Sequence, residues 1–264
     1  MTSTASQIDL PKSFAVQTTK GAKSLAYRAR QDAGSGRPGL VWLGGFRSDM
    51  QSTKAQRLDD FAKETGRACL RFDYSGHGES GGAFEDGTIG GWCDESLSVV
   101  RALTTGPQIL IGSSMGGWIS LLMARQLAAL NETHRLAGMV LIAPAVDFTQ
   151  SLMWPQMSPA IRAQIENDGQ WLRPNAYGEP YPITRGLIED GRNQLLFGSP
   201  IRSYCPVHIL QGLKDPDVPY EHTMKLVHHM AGDPVAITLI KDGDHRLSRE
   251  EDIARLISAV RDLI

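Results

Sequence analysis

Residues 108–118 read Gln-Ile-Leu-Ile-Gly-Ser-Ser-Met-Gly-Gly-Trp, an apolar run of one strand's length followed at once by the start of a long apolar helix. Between them lies Gly112-Ser113-Ser114-Met115-Gly116, a G-x-S-x-G reversal made in a single step. The flanking glycines leave room for the helix to pass close beside the strand and for the central hydroxyl to project from a strained corner. The same corner aims the first free N–H groups of the helix at whatever oxygen the serine attacks, which favours a developing negative charge. Ser114 is therefore the candidate nucleophile.

A second copy of the pattern, Gly78-Glu79-Ser80-Gly81-Gly82, is followed by Ala-Phe-Glu-Asp-Gly, which has no helical periodicity. Only the first copy stands between strand and helix as the chemistry requires, so Ser80 is expected to be a turn residue.

The rest of the chain supplies a sheet around that strand. Residues 13–30 read as a hairpin joined through Gly21, 39–44 as a near-continuous apolar strand, and 52–64 as an amphipathic helix carrying Ala55, Leu58, Phe61 and Ala62. Strand and helix then alternate: 68–72, 92–103, 109–111, 116–130 and 138–142, and later 206–212, 220–230 and 235–240, with a last helix from Ser248 whose capping box is completed by Glu251. Buried apolar strands alternating with helices imply an α/β fold, a mostly parallel twisted sheet of about eight strands covered on both faces. The interruption at about 147–203 is too long for a loop and too structured for a linker. Ser158-Pro159 opens a helix there that Gly169 closes, and Leu187-Ile188 seeds another. Placed off the C-terminal ends of the strands, this helical insertion would lie over Ser114 as a lid. Its aromatic residues Trp154, Trp171, Tyr177 and Tyr181 either wall an acyl site or form only the lid's own core.

At 264 residues the chain suits one large core, so a single domain is expected. A formal charge of -2, with both signs spread along the chain, gives no reason to expect nucleic acid or stable membrane insertion. No apolar stretch approaches a membrane span, and the first residues have neither secretory nor transit character. Cys69, Cys93 and Cys205 have no metal-site spacing, and buried thiols in a reducing cytoplasm are the expectation.

A serine hydroxyl needs a histidine to take its proton and an acid to orient the imidazole. On this architecture the order is serine, acid, histidine, each at the end of a later strand. The strand at 206–212 runs into Gly212-Leu-Lys-Asp215-Pro-Asp217, and the strand at 235–240 into Asp242-Gly-Asp-His245. Asp215 comes first off its strand and is preferred, while Asp217 is placed to cap the helix near Pro219. His77, His134, His208, His222, His228 and His229 all lack the required position. An oxyanion site needs two donors; the N–H of Met115 is one, and the N–H of Phe46, in the Gly44-Gly45-Phe46-Arg47 loop, is the other. No metal or organic cofactor is expected, because serine, histidine and acid with such a site suffice.

The segments Gly44-Gly45-Phe46, Arg71-Phe-Asp-Tyr-Ser-Gly-His-Gly-Glu-Ser80, Gly112-Ser-Ser-Met-Gly-Gly-Trp118, Gly212-Leu-Lys-Asp215 with Val218-Pro219, and Asp244-His245-Arg246 together resemble the α/β-hydrolase superfamily. Within it they are most similar to the branch of mitochondrial palmitoyl-protein thioesterases, also called mycophenolic acid acyl-glucuronide esterases. The resemblance spans about residues 37–262 and implies the α/β-hydrolase fold. It also implies a triad of Ser114, Asp215 and His245, oxyanion donors at Phe46 and Met115, and an acyl ester, acyl thioester or S-acylated protein as substrate. Phe46 stands where an aromatic hydroxyl is often found and Met115 where leucine is usual; no transit peptide is evident, so a cytoplasmic location is expected. The competing activities are an amidase or aminopeptidase on the same fold, and a hydrolase-like binding protein with little turnover. Serine at the elbow argues against dehalogenase and epoxide hydrolase chemistry.

Overall fold

The computed structural model describes residues 10–18, 21–174 and 179–263. The first part of the chain forms β1 (Lys12–Thr18), β2 (Gly21–Arg30), β3 (Gly39–Leu43), α1 (Thr53–Thr65), β4 (Cys69–Phe72), α2 (Ile89–Leu103), β5 (Gln108–Ser113), α3 (Met115–Ala129) and β6 (Leu136–Ile142). After β6 come α4 (Pro159–Asp168), β7 (Gln170–Arg173), β8 (Tyr181–Thr184) and α5 (Arg185–Asn193). The chain ends with β9 (Val207–Gly212), α6 (Tyr220–His229), β10 (Val235–Ile240) and α7 (Glu250–Asp262).

Eight strands join one sheet in the order β1-β2-β4-β3-β5-β6-β9-β10. β1 pairs antiparallel with β2, and β2 with β4; every other neighbouring pair is parallel. β3, β4 and β5 are buried at every position because helices cover both faces, which is why they read as unbroken apolar runs. Their side chains still alternate: Leu40, Trp42, Ile109 and Ile111 pack with α1 and α7, whereas Val41, Leu43 and Leu110 pack with α2 and α3. β3 and β5 are neighbours although β4 lies between them in sequence, so the strand order reverses there, and the crevice above that reversal is where an open α/β sheet holds its site.

Helix ends account for most differences from the sequence-based boundaries. α2 starts three residues before Trp92, capped by Thr88, whose hydroxyl accepts the Gly91 N–H at 3.1 Å. Gly90 and Gly91 obscure that first turn in the sequence. The capping box of α7 is not Ser248 with Glu251. It is Arg249 with Asp252: the Arg249 N–H donates to Asp252 Oδ2 at 3.3 Å, and Ser248 Oγ turns back to the Arg246 carbonyl at 3.0 Å. The buried Asp252 carboxylate also receives the guanidinium groups of Arg249 and Arg255, and these charge-assisted bonds fix the start one residue later. Among the described residues no helix is long and apolar enough to cross a membrane.

The insert between β6 and β9 opens with a π-helical turn, Thr149–Met153, and a short 3-10 turn, Trp154–Gln156. Ser158 caps α4 through the Ile161 N–H, and Gly169 ends it at φ 87°. The stretch after it forms an antiparallel pair, β7 with β8. Tyr177 lies outside the described residues. One carboxylate, Asp147, ties the two ends of the insert together, and another, Asp190, pins it to α2. Asp147 accepts the N–H groups of Leu196 (2.9 Å) and Phe197 (2.9 Å), and Asp190 accepts the N–H of Gly90 at 2.7 Å.

Candidate active site

Ser114 is the corner residue between β5 and α3, at φ 53° and ψ -114°, a strained conformation for any residue with a Cβ. The corner is held by the Ser114 N–H, which donates to the Ile142 carbonyl at 2.8 Å, and by the Ser114 carbonyl, which accepts from Gly117 and Ala145. A Cβ at Gly116 would overlap the Leu43 carbonyl oxygen, and one at Gly112 would overlap the Gly116 carbonyl oxygen. The motif therefore needs both glycines for close approach of helix and strands.

The structure brings His245 and Asp215 to this corner. His245 Nε2 lies 3.1 Å from Ser114 Oγ, and its Nδ1 lies 2.8 Å from Asp215 Oδ2. A carboxylate can only accept, so the ring proton sits on Nδ1 and the bare Nε2 faces the serine hydroxyl. The Asp215 side chain is fully buried. Its Oδ1 accepts the N–H groups of Asp217 (2.9 Å) and Val218 (2.8 Å), and Gln211 Nε2 lies 3.4 Å from Oδ2. Asp217 is exposed and does not cap α6, whose cap residue Pro219 makes no side-chain hydrogen bond. Asp215, Asp217 and His245 are the one group of three among the described residues whose ligand atoms lie within 4.8 Å of one another. The Asp215 oxygens in that group are already engaged by His245 and backbone N–H groups.

The loop after β3 runs against the corner: a Cβ on Gly45 would lie 3.5 Å from Ser114 Cβ. Met115 is the first residue of α3, so its N–H has no partner within the helix. Phe46 and Met115 both border a cavity of about 260 Å³ that reaches Ser114 and His245, and the insert contributes Phe148, Leu152, Met153 and Tyr181 to its walls. The Arg47 guanidinium stacks 4.0 Å from the Tyr181 ring centroid, joining the loop to the insert. Trp154 and Trp171 pack on the core instead, with Arg162 and Arg192 beside the Trp154 ring.

The other singled-out residues fall elsewhere. Ser80 Oγ donates to the Asp73 carbonyl at 2.6 Å and accepts the Ala26 N–H at 2.8 Å, a turn tie as expected. His222 bonds the Val146 carbonyl and His208 the Thr238 hydroxyl. All three cysteines are free and buried, and burial pushes the Cys69 and Cys205 thiols up to about 12. Sequence reasoning missed a buried polar group beneath the Phe46 loop. Asp73 accepts the N–H groups of Met50 (2.6 Å) and Glu79 (2.8 Å), and burial raises its carboxyl to about 6. Lys54, buried on α1, donates from Nζ to the carbonyl of Arg246, next to His245, and burial lowers its amine to about 8. Asp73 shows in the sequence only as a charge between Phe72 and Tyr74, and Lys54, in the polar run Gln-Ser-Thr-Lys-Ala-Gln, carries no such signal.

A parallel sheet with a strained serine corner, a histidine and a buried acid at successive strand ends defines an α/β hydrolase. The sequence profile of the alpha/beta hydrolase family matches residues 33–259, and the chain belongs to that family. Among named relatives, the Homo sapiens "Palmitoyl-protein thioesterase ABHD10, mitochondrial" is 35% identical over 229 residues, 86% of this chain and 73% of that protein. A solved structure from Agrobacterium vitis S4 is 47% identical, with a TM-score of 0.92 over 96% of this chain and 98% of that one. Alpha/beta hydrolase domain-containing protein 10 from mouse is 31% identical, with a TM-score of 0.81 and coverage of 96% and 98%.

Proposed function

We propose that this protein is a serine hydrolase that cleaves acyl esters or acyl thioesters through a covalent acyl-enzyme on Ser114. The observation that carries this reading is the unbroken line from Ser114 Oγ through the His245 ring to the buried Asp215, opening on a cavity with Phe148, Leu152 and Met153 on its walls. His245 Nε2 takes the hydroxyl proton as Oγ attacks the acyl carbon and returns it to the leaving group, while Asp215 holds Nδ1–H and stabilises the imidazolium. The N–H groups of Phe46 and Met115 receive the carbonyl oxygen as it becomes an oxyanion. Expulsion of the thiol or alcohol leaves the acyl group on Ser114, and a water deprotonated by the same imidazole releases the acid. The insert acts as the lid that walls the acyl chain. The thioesterase name of the 35% identical human relative supports the thioester arm, with an S-acylated protein among the eligible substrates.

The test is covalent labelling. An active-site phosphonate is expected to modify Ser114, and Ser114→Ala to abolish labelling and turnover with the fold intact. Label retained in that variant, or mapped to Ser80, would overturn the assignment.

A further inference from the structure

We propose that His77 is a positioning residue for the oxyanion loop: its ring holds the Phe46–Arg47 peptide so that the preceding N–H, that of Phe46, faces the carbonyl oxygen at Ser114. The proposal rests on the reading above, in which the Phe46 N–H receives the oxyanion.

The loop is not self-sufficient. Arg47 sits at φ 59°, in the left-handed region, and its Cβ makes that conformation costly unless surrounding contacts impose it. One such contact is internal, from the Ser48 N–H to the Gly45 carbonyl at 3.1 Å. A second holds the backbone from outside, where the Arg47 N–H donates to His77 Nε2 at 3.1 Å. That bond requires a lone pair on Nε2, so the ring proton lies on Nδ1, which is 3.2 Å from the Ser75 carbonyl. The ring is 4% exposed. Burial lowers its pKa, which favours the neutral form that this geometry demands.

The histidine is itself held on a rigid base. The Ser75 carbonyl also accepts Trp92 Nε1–H at 3.1 Å, and the Ser75 N–H and hydroxyl donate to the buried Glu95 carboxylate at 2.9 and 2.6 Å. Lys23 closes that group with a 3.1 Å contact to Glu95. The His77 ring meets Phe84 and Trp92 at 5.2 and 5.0 Å between centroids, and the Phe46 ring meets the same two at 5.1 and 6.0 Å. One aromatic cluster therefore fixes both the acceptor and the loop it holds. Neither phenylalanine nor any aliphatic residue would supply an in-plane lone pair at that point.

Two variants separate positioning from packing. His77→Phe keeps an aromatic ring in the cluster and removes the acceptor; His77→Gln places an amide oxygen where Nε2 was. His77→Phe is expected to lower kcat by roughly ten- to a hundredfold, less than outright loss of an oxyanion donor, with KM changed by less than about threefold. His77→Gln is expected to recover most of that loss, and both proteins should keep a wild-type Tm and still label at Ser114 with a phosphonate. If His77→Phe does not fold, His77→Asn, whose shorter amide does not reach the Arg47 N–H, takes its place. Wild-type kcat in the acceptor-less variant, or equal losses in it and His77→Gln, would overturn the proposal. Failure of the wild-type protein to label at Ser114 would overturn the underlying reading instead, and this proposal with it.

Discussion

The backbone N–H of Asp217 donates to Oδ1 of Asp215 at 2.9 Å, so one of the two neighbouring acids supports the other. Asp215 gives its second oxygen to His245 Nδ1, whereas Asp217 contributes its main chain and leaves its carboxylate exposed. Asp215→Asn replaces an acceptor with a group that can present N–H to the ring and favour the wrong tautomer. Its kcat is expected to fall on the order of 10³–10⁴-fold. Asp217→Asn keeps the backbone donor and is expected to stay within about threefold of wild type, because nothing buried depends on its charge. Steady-state kinetics on the two purified variants decide this, and equal losses would remove Asp215 from its role.

Leu152 and Met153 come from the π-helical turn of the insert, Phe148 immediately precedes it, and all three stand on the wall of the cavity beside Ser114. If an acyl chain lies there, each methylene it buries contributes about 0.8 kcal/mol, or about fourfold in kcat/KM. Leu152→Trp is expected to shorten the chain length at which kcat/KM stops rising, and Phe148→Ala to lengthen it, with little change for an acetyl ester. A chain-length series on the three proteins measures this. An unchanged profile in both variants would place the acyl chain outside the insert.

Lys54 gives a stability prediction with a definite sign. Burial lowers its amine from 10.5 to about 8, so between those values the unfolded chain binds more protons than the folded one and stability rises with pH. The full cost of the buried charge, up to roughly 3 kcal/mol, is present below pH 8. The buried thiols act in the opposite direction, since Cys69 and Cys205 hold their protons to about 12 while unfolded cysteines lose theirs near 9.0. Comparing urea unfolding of wild type and Lys54→Met at pH 7 and pH 10 cancels the thiols. The wild-type protein is expected to gain on the variant as pH rises. A constant difference between the two would show that Lys54 does not titrate in that window.

The residues that line up on Ser114 were legible because each follows a strand that reads as an apolar run, and the fold carries each strand end to the same edge. Asp215 was separable from Asp217 by order along the chain alone. The seating of the Phe46 loop was not legible. Asp73, His77 and Glu95 are buried polar groups whose partners lie 20 to 30 residues away, and no local period records such pairings. The β7–β8 pair was missed for a related reason: four-residue strands with half-buried faces carry too little alternation to stand out from turns. The α7 cap shifted by one residue because the long-range demands on Asp252 outweigh a local serine.

The choice of leaving group follows from the proton that His245 must deliver. A thiolate, or the oxyanion of an activated ester, departs without full protonation. An amine must receive a proton from His245 in a narrow geometry before the C–N bond breaks. Nε2 of His245 faces Ser114 Oγ at 3.1 Å, and Phe148, Leu152 and Met153 stand on the cavity wall. The polar groups on the rim, Gln156, Arg173 and Asp217, make no hydrogen bond to Ser114 or His245, so His245 is the group placed to protonate a leaving amine. For a matched acyl group, kcat/KM is therefore expected to be higher for the thioester and the activated ester than for the anilide, by on the order of a hundredfold or more, the size of a general-acid contribution. Measuring the three substrates side by side checks it. An anilide rate equal to the thioester rate would move the protein to the amidase class while leaving Ser114, His245 and Asp215 in their places.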